Sequence, residues 1–490
     1  MRNLIPTLLC DFYKISHREQ YPKGTEVVYS TWIPRSNKHL PQAKTAIAFG
    51  FQAFIKEWLI DFFNENFFQK GWIDIVQEYR RYIKYTLGIQ FPYTQHLYEL
   101  WALGYLPLEI RALPEGTRTP FRVPMLTIHN THPKFFWLTN YLETLISTEL
   151  WKVSTVATIA DLYREILDEY AIKTTGSTDG VEYQGHDFCM RGSCGVFDSG
   201  ISGMGHLLSF VGTDTIPAIM GLEQYYNADI EKEIVGVSVP ATEHSVMCAG
   251  GNVNEYETYK RLITETYPTG IVSIVSDTWD LWYVLIDIIP KLKNDILARD
   301  GKVVIRPDSG DPADIICGDP LSARVYEHKG VIELLWDTFG GTVTEQGYKV
   351  LDSHIGAIYG DAITLNTCRC ICKRLKAKGF ASTNMIFGIG SFAYQYNTRD
   401  TLGFAMKSTL TVCDGKEIHI FKDPVTDDGT KKSLKGGVAV FKNDKKGIYC
   451  IDEIGLNSVI DKDNLLKVVF KDGKLLIDQS LSEIRTKLKE

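Results

Sequence analysis

Val303-Val-Ile305-Arg306-Pro-Asp308-Ser-Gly310-Asp311 places three branched apolar residues directly ahead of an arginine, a turn and two carboxylates. The apolar run is short and β-branched, so it reads as a strand buried on both faces rather than a helix. The same order recurs along the middle of the chain. Leu207–Val211 precedes Gly212-Thr-Asp214-Thr215, and Val235–Val239 precedes Pro240-Ala-Thr-Glu-His244. Ile271–Val275 precedes Ser276-Asp277, Ile355–Tyr359 leads to Gly360-Asp361, and Met385–Ile389 leads to Gly390-Ser391. The intervals of roughly 25 to 55 residues leave room for a helix between successive parallel strands. Residues able to do chemistry follow the strands and do not precede them. This is the pattern of a (β/α) barrel, whose site gathers at the C-terminal strand ends; doubly wound sheets share the tendency.

The flanks read differently. Glu26–Ile33 is strand-like, Thr45–Tyr85 helical, and Leu106–Asn130 a set of short strands punctuated by Pro107, Pro114, Pro120 and Pro124. Toward the other end, Thr409–Cys413, Ile418–Phe421, Gly437–Phe441 and Lys467–Phe470 are strands between Asp-Gly, Gly-Gly and Asn-Asp turns, with a last helix beginning near Ser482. The 490 residues carry 53 Lys+Arg against 60 Asp+Glu, a net charge of −7, which gives no basic footprint for nucleic acid. No apolar run approaches the roughly 18 residues of a membrane span, Phe51–Phe63 being broken by Lys56, Glu57 and Asp61. Met1 to Cys10 lacks the features of a signal peptide. The ten cysteines form no Cys-x-x-Cys pair, and Cys368, Cys370 and Cys372 read as reduced thiols on one element. A cytoplasmic protein is expected.

At the strand ends, Arg306 offers a planar fork for phosphate or for an aromatic ring, and Asp308 a ligand for Mg²⁺ or a ribose hydroxyl. Pro-Asp-Ser-Gly is equally good surface-turn chemistry. Gly360-Asp361 and Gly388-Ile-Gly390-Ser391 resemble phosphate cradles, to which Arg399 and Lys407 can add cations. His186-Asp-Phe188-Cys-Met-Arg191 pairs an aromatic face with a guanidinium, either a core Phe or a ring-binding one. Asp214 is a helix-cap type of residue. His244 follows a strand, where it can serve as base, nucleophile or phosphate acceptor. These readings converge on a barrel enzyme acting on a phosphorylated ligand with Mg²⁺.

In this order the segments resemble the nicotinate/nicotinamide phosphoribosyltransferase family. The resemblance runs through Asp11-Phe-Tyr13-Lys14, Trp137-Leu-Thr-Asn140, His186-Asp-Phe188, Arg191-Gly192, Gly212-Thr-Asp-Thr215, Ser238-Val-Pro-Ala-Thr-Glu-His244, Val275-Ser-Asp277, Ile305-Arg-Pro-Asp308, Gly360-Asp361, Thr398-Arg399 and Phe421-Lys-Asp-Pro424. It implies residues 154–391 as the barrel, and 1–153 with 392–490 as a β-rich α+β domain built from both chain termini.

It also implies transfer of a phosphoribosyl group from 5-phosphoribosyl 1-pyrophosphate (PRPP) to nicotinamide, with Mg²⁺, giving nicotinamide mononucleotide and pyrophosphate. ATP would be a co-substrate, acting through a phosphohistidine at His244. A homodimer with shared active sites is implied, with no membrane partner. Phe188 and Tyr13 of the second subunit would sandwich the pyridine ring beside Arg306, and Asp214 would accept the carboxamide N–H. Asp308 would hold the ribose hydroxyls and Mg²⁺, with Asp277 near the metal. Arg191, Gly360, Asp361, Gly390, Ser391 and Arg35 would face phosphates, joined by Arg399 and Lys407 from the second subunit.

The chain departs from the family at Ser391-Phe392, where further glycines are usual, and at Ala405, where a hydroxyl is usual. Nicotinate phosphoribosyltransferase and a catalytically silent ligand-binding protein on the same scaffold are the alternatives.

Overall fold

A computed structural model describes residues 4–426 and 432–490; the first three residues of the Met1 to Cys10 stretch lie outside the described residues. The chain divides into two compact units. One comprises Ile159–Gly221 and Asp229–Tyr396, the other Met1–Thr158, Leu222–Ala228 and Asn397–Glu490.

The first unit is built on a parallel half-barrel sheet of six strands. Their spatial order is Gly212–Thr213, Gly185–Asp187, Met385–Ile389, Ile355–Tyr359, Asp300–Arg306 and Thr269–Val275. Val272, Ile274, Val303, Ile305, Met385, Phe387 and Ile389 are fully buried, which is why these strands read as continuous apolar runs. The register sets their ends side by side. Val275 lies opposite Arg306, Tyr359 opposite Phe387, Ile389 opposite Asp187, and Asp187 opposite Thr213. Whatever follows each strand therefore emerges on one rim.

Four of the expected strands form where the apolar runs lie. Two do not. Leu207–Val211 is mostly the turn that closes the helix Val196–His206, and only Gly212–Thr213 pairs. Buried His206 holds that turn, its Nε2 bonding the Gly212 carbonyl at 2.9 Å and its Nδ1 meeting the Tyr394 hydroxyl at 2.7 Å. Val235–Val239 makes only isolated parallel bridges, Gly212 with Val237 and, just beyond it, Ser273 with Ala241. Pro240 has no N–H to continue a ladder. The helix Glu143–Thr175 escaped the pattern because apolar residues such as Val153, Val156, Ile159, Ala160 and Tyr163 are buried around it, leaving little amphipathic contrast. Its Thr155 and Thr158 hydroxyls return to the carbonyls four residues back. Cys368, Cys370 and Cys372 lie on the helix Leu365–Ala377, the outer two buried and Cys370 exposed, all free thiols.

The second unit carries a seven-stranded sheet that interleaves both ends of the chain. Its order is Lys416–His419, Ala405–Cys413, Thr25–Ile33, Leu126–Asn130, Leu108–Ala112, Lys467–Lys471 and Lys474–Leu475, every pairing antiparallel. Tyr29, Trp32, Ile110, Ile128 and Leu410 pack its core, with Trp32 stacked on Phe404 at 5.2 Å. The last helix, Leu481–Lys489, starts with a capping box between Ser480 and Glu483. Among the described residues, no helix is long and apolar enough to cross a membrane.

Glu115 is fully enclosed in this second unit. It accepts the Gly50 and Gln52 N–H groups at 2.8 and 2.6 Å and the Tyr226 hydroxyl at 2.9 Å. Burial outweighs these donors and pushes its carboxyl from 4.5 up to about 7. Between those values the folded chain keeps a proton that the unfolded chain has released, so stability falls as pH rises through this window. Glu115→Gln is expected to flatten that slope, while costing roughly 1–3 kcal/mol where a backbone N–H loses its acceptor. Urea midpoints at several pH values between 4.5 and 7.5 check it; an unchanged slope contradicts it.

Candidate active site

The rim begins with Phe188, the residue after the strand Gly185–Asp187. Its N–H bonds the Ile389 carbonyl at 2.9 Å, and its ring lies over Gly388, where an added Cβ would stand 2.5 Å from the ring. Only the missing side chain lets the ring lie on the strand. Beneath it, the buried Asp187 Oδ1 accepts the Cys189 N–H at 2.9 Å and turns the loop. The His186 ring sits 4.8 Å from that of Phe188.

Asp214 closes one side of this platform. Its Oδ1 meets His186 Nε2 at 2.9 Å and accepts the Ser238 hydroxyl at 2.6 Å. Burial works to raise its carboxyl, but the bonds from His186 and Ser238 and the charge of Arg306 hold it below its ordinary value. Asp214 is therefore an anion at neutral pH, with 47% of its side chain exposed to whatever lies on the platform.

Arg306 ends its strand and donates from Nη2 to the Thr242 carbonyl at 2.5 Å; its buried Nε has no partner among the described residues. Asp308 follows two residues on. Its N–H and the Ser309 hydroxyl both bond Asp277 Oδ2, at 2.8 and 2.6 Å. A Cβ at Gly360 would meet Asp308 Oδ1 at 2.6 Å, so the bare backbone of Gly360 admits the carboxylate. His244 opens the helix His244–Gly250, with Nδ1 3.1 Å from Thr278 Oγ1. Its Nε2 faces Asp308 Oδ2 at 3.9 Å and Asp277 Oδ1 at 4.0 Å. Burial raises the Asp308 carboxyl above its ordinary value; Arg306 opposes this, and the charges of Asp277 and Asp361 add to it. Asp277 Oδ1 is buried with no hydrogen bond among the described residues.

Two crowded carboxylates with an orphaned oxygen suit a divalent cation. No group of three or more His, Cys, Asp or Glu among the described residues forms a cage for one. That combination fits Mg²⁺, which is held through one or two carboxylates plus water and substrate phosphates.

The far end of the rim is built from Gly390-Ser391. A Cβ on Gly390 would meet nothing within 4 Å, so its surroundings are open. The turn carrying Arg191 packs here, since a Cβ on Gly192 would stand 2.4 Å from that of Ser391. Gln395 Nε2 ties the two loops by donating to Ser193 Oγ at 2.9 Å. Phe392 points outward, 69% exposed.

Tyr13, Arg35, Arg399 and Lys407 belong to the antiparallel unit. Tyr13 is exposed on the turn Phe12–Ser16, with Lys14 Nζ 5.1 Å from its ring centroid. Lys14 is itself buried against Glu143. Arg35 Nε donates to the Gly403 carbonyl at 2.8 Å, and Lys407 Nζ to that of Met406 at 2.9 Å. Burial lowers the Lys407 ammonium from its ordinary value; Glu143 opposes this, and Arg35, Lys422 and Arg399 reinforce it. Ala405 is buried opposite Ile33.

The structure thus gathers Phe188, Arg191, Asp214, His244, Asp277, Arg306, Asp308, Gly360, Asp361, Gly390 and Ser391 on the loops of one rim, and Arg35, Arg399 and Lys407 within one cationic neighbourhood. Sequence reasoning passed over Ser238, Thr242 and Thr278, which orient Asp214, Arg306 and His244, and it read Gly388 as part of a phosphate cradle, whereas Gly388 lies beneath Phe188. The first two lie inside the Ser238–His244 motif, but nothing local marks them as props.

An aromatic platform, an adjoining anion, a carboxylate pair and a small-residue phosphate turn define a site for a flat polar ring beside a sugar phosphate. Residues 183–474 match the model of the nicotinate phosphoribosyltransferase (NAPRTase) family, and residues 6–69 that of the nicotinamide phosphoribosyltransferase N-terminal domain. The chain belongs to the nicotinate phosphoribosyltransferase family, a family of enzymes. It is 50% identical to the nicotinamide phosphoribosyltransferase of Acinetobacter baylyi, over 99% of this chain and 97% of that protein. It is 34% identical to the nicotinamide phosphoribosyltransferase of Mycoplasma genitalium, over 88% of this chain and 94% of that one. The fold resembles human nicotinic acid phosphoribosyltransferase, with TM-score 0.55 at 14% identity over 98% of this chain and 93% of that one.

Gly388→Ala is expected to lift the Phe188 ring off its strand, a small-to-large change costing about 1–3 kcal/mol of stability. A urea midpoint equal to the parent's contradicts the packing.

Proposed function

We propose that the protein makes nicotinamide mononucleotide and pyrophosphate from nicotinamide and PRPP. Asp214 carries this reading: an ionised carboxylate beside an aromatic platform accepts the N–H of a carboxamide and repels the carboxylate of nicotinate. Phe188 takes one face of the pyridine ring, and Arg306 lies at its edge. Breaking the ribose C1–pyrophosphate bond gives C1 oxocarbenium character, and the ring nitrogen forms the new bond as pyrophosphate leaves. Asp308 positions the ribose hydroxyls. Arg191, Gly360, Asp361, Gly390 and Ser391 position the phosphates, and the rate gain comes from orientation and charge stabilisation. Asp308 and Asp277 would hold Mg²⁺, which offsets charge on the departing pyrophosphate.

Four finer elements belong to the same reading. The extended segment around Val237–Thr242 completes the parallel sheet as a barrel. The enzyme is a homodimer in which Tyr13, Arg399 and Lys407 of the second subunit complete each site, with Arg35 a further phosphate contact. It works in the cytoplasm, a reducing compartment that suits ten free cysteines. ATP is a co-substrate that phosphorylates His244. With Nδ1 engaged by Thr278, Nε2 is the nitrogen that faces the Asp308 and Asp277 carboxylates.

The test is formation of the mononucleotide from PRPP and Mg²⁺ with nicotinamide or nicotinate, with and without ATP. Product from nicotinamide is expected; turnover of nicotinate alone would transfer the assignment to nicotinate phosphoribosyltransferase, and binding without turnover would indicate a silent scaffold. Asp214→Asn removes the repulsion and should lower the nicotinamide-to-nicotinate ratio of kcat/KM roughly ten- to a hundredfold, about 1.4–2.8 kcal/mol. An unchanged ratio in steady-state kinetics argues against the contact. For His244→Ala, ATP stimulation should disappear while basal transfer persists. Equal stimulation of variant and parent excludes the phosphohistidine.

A further inference from the structure

Ser202 and His206 stand four residues apart on one face of the helix Val196–His206, and both are fully buried. His206 Nε2 lies 2.9 Å from the Gly212 carbonyl, and Nδ1 lies 2.7 Å from the Tyr394 hydroxyl. A carbonyl only accepts, so Nε2 carries the proton. Burial pushes the imidazole down to about 4, so the ring is neutral and its Nδ1 accepts the Tyr394 O–H. One tautomer thus serves both neighbours.

Those neighbours lead into different parts of the site. Tyr394, itself fully buried, ends the short helix Ser391–Tyr394, and its N–H returns to the Gly390 carbonyl at 3.3 Å. Holding its side chain therefore holds the Gly390-Ser391 turn. The next residue, Gln395, is tied down as well: its Nε2 donates to Ser202 Oγ at 3.3 Å and to Ser193 Oγ at 2.9 Å.

Gly212 opens the strand Gly212–Thr213, and Asp214 follows it, with its N–H on the Asp187 carbonyl at 3.0 Å. A Cβ at Gly212 would stand 2.8 Å from His186 Nδ1, so this glycine seats the imidazole that bonds Asp214. The helix presses on the same segment, since a Cβ on Gly203 would lie 2.5 Å from that of Ala218 and 3.3 Å from Asp187 Oδ2. Phe210 steadies the His206 ring, stacked on it at 5.2 Å. An apolar ring would fill this space without the cost of burying two polar nitrogens. Here each nitrogen is matched, and each match is to a segment that carries site residues.

We propose that His206 is a positioning residue: through Gly212 and Tyr394 it holds the ring-selecting Asp214 and the Gly390-Ser391 phosphate turn at one spacing. The role rests on the phosphoribosyltransferase reading, which supplies the ring for one end and the sugar phosphate for the other.

Four variants of the full chain separate the two bonds. Tyr394→Phe removes only the hydroxyl. The amide of His206→Gln reaches the region of Nε2 and can still donate to Gly212, whereas that of His206→Asn reaches the region of Nδ1 and can still accept from Tyr394. His206→Leu loses both. In steady-state kinetics with PRPP, Mg²⁺ and either base, Tyr394→Phe and His206→Gln are expected to raise KM for PRPP about tenfold, with the nicotinamide-to-nicotinate ratio of kcat/KM within about twofold of the parent's. His206→Asn should lower that ratio about tenfold with a smaller change in KM for PRPP, and His206→Leu should show both effects. A role in folding alone would reduce the active fraction, and with it kcat, without moving KM or the ratio. A response confined to one end, or parent-like KM and ratio in Tyr394→Phe and His206→Asn, overturns the proposal.

Calorimetric titration with PRPP alone reads the phosphate end without turnover. A parent that turns over neither base, yet binds PRPP about tenfold more tightly than Tyr394→Phe does, ends the functional reading and leaves the positioning role standing. A parent that turns over while its variants keep its KM and ratio ends the positioning role alone. A parent that neither turns over nor binds PRPP overturns both.

Discussion

The register of the parallel sheet is the constraint on which the site depends. Because Val275, Arg306, Tyr359, Ile389, Asp187 and Thr213 end their strands side by side, six separate loops emerge on one rim. A slip of one residue in any strand would turn its alternate side chains to the other face. Buried apolar residues on both faces make that slip costly, and the chemistry is free to sit on the loops.

Within that frame, environment divides the carboxylates by task. Asp214 receives a hydroxyl and an imidazole and is held ionised; Asp308 is half-buried among like charges and is pushed the other way. Asp277 uses one oxygen to pin the Asp308 backbone and leaves the other without a hydrogen bond. One suits recognition of an uncharged amide, and the pair suits a cation. Glycines set the distances: Gly388 admits the Phe188 ring and Gly360 admits the Asp308 carboxylate.

The strands whose burial is local were legible in the sequence, down to Ile355–Tyr359 and Met385–Ile389. Those that depend on partners were not. Gly185–Asp187 is three residues of mixed polarity that pair only because Met385–Ile389 lies beside them. Leu207–Val211 is apolar enough for a strand but is claimed by the turn that His206 fixes. The site was legible as residue types after strands. Its props were not, because Ser238 and Thr242 act on residues 24 and 64 positions away.

The central claim is that Asp214 is held ionised by His186 and Ser238 to select an uncharged ring substituent. Carboxyl ¹³C NMR titration of the full chain, with Asp214→Asn to assign the resonance, measures this directly. The account predicts titration below the ordinary value of 3.8, moving upward in Ser238→Ala. A carboxyl that titrates above 3.8, or one indifferent to Ser238, would contradict it.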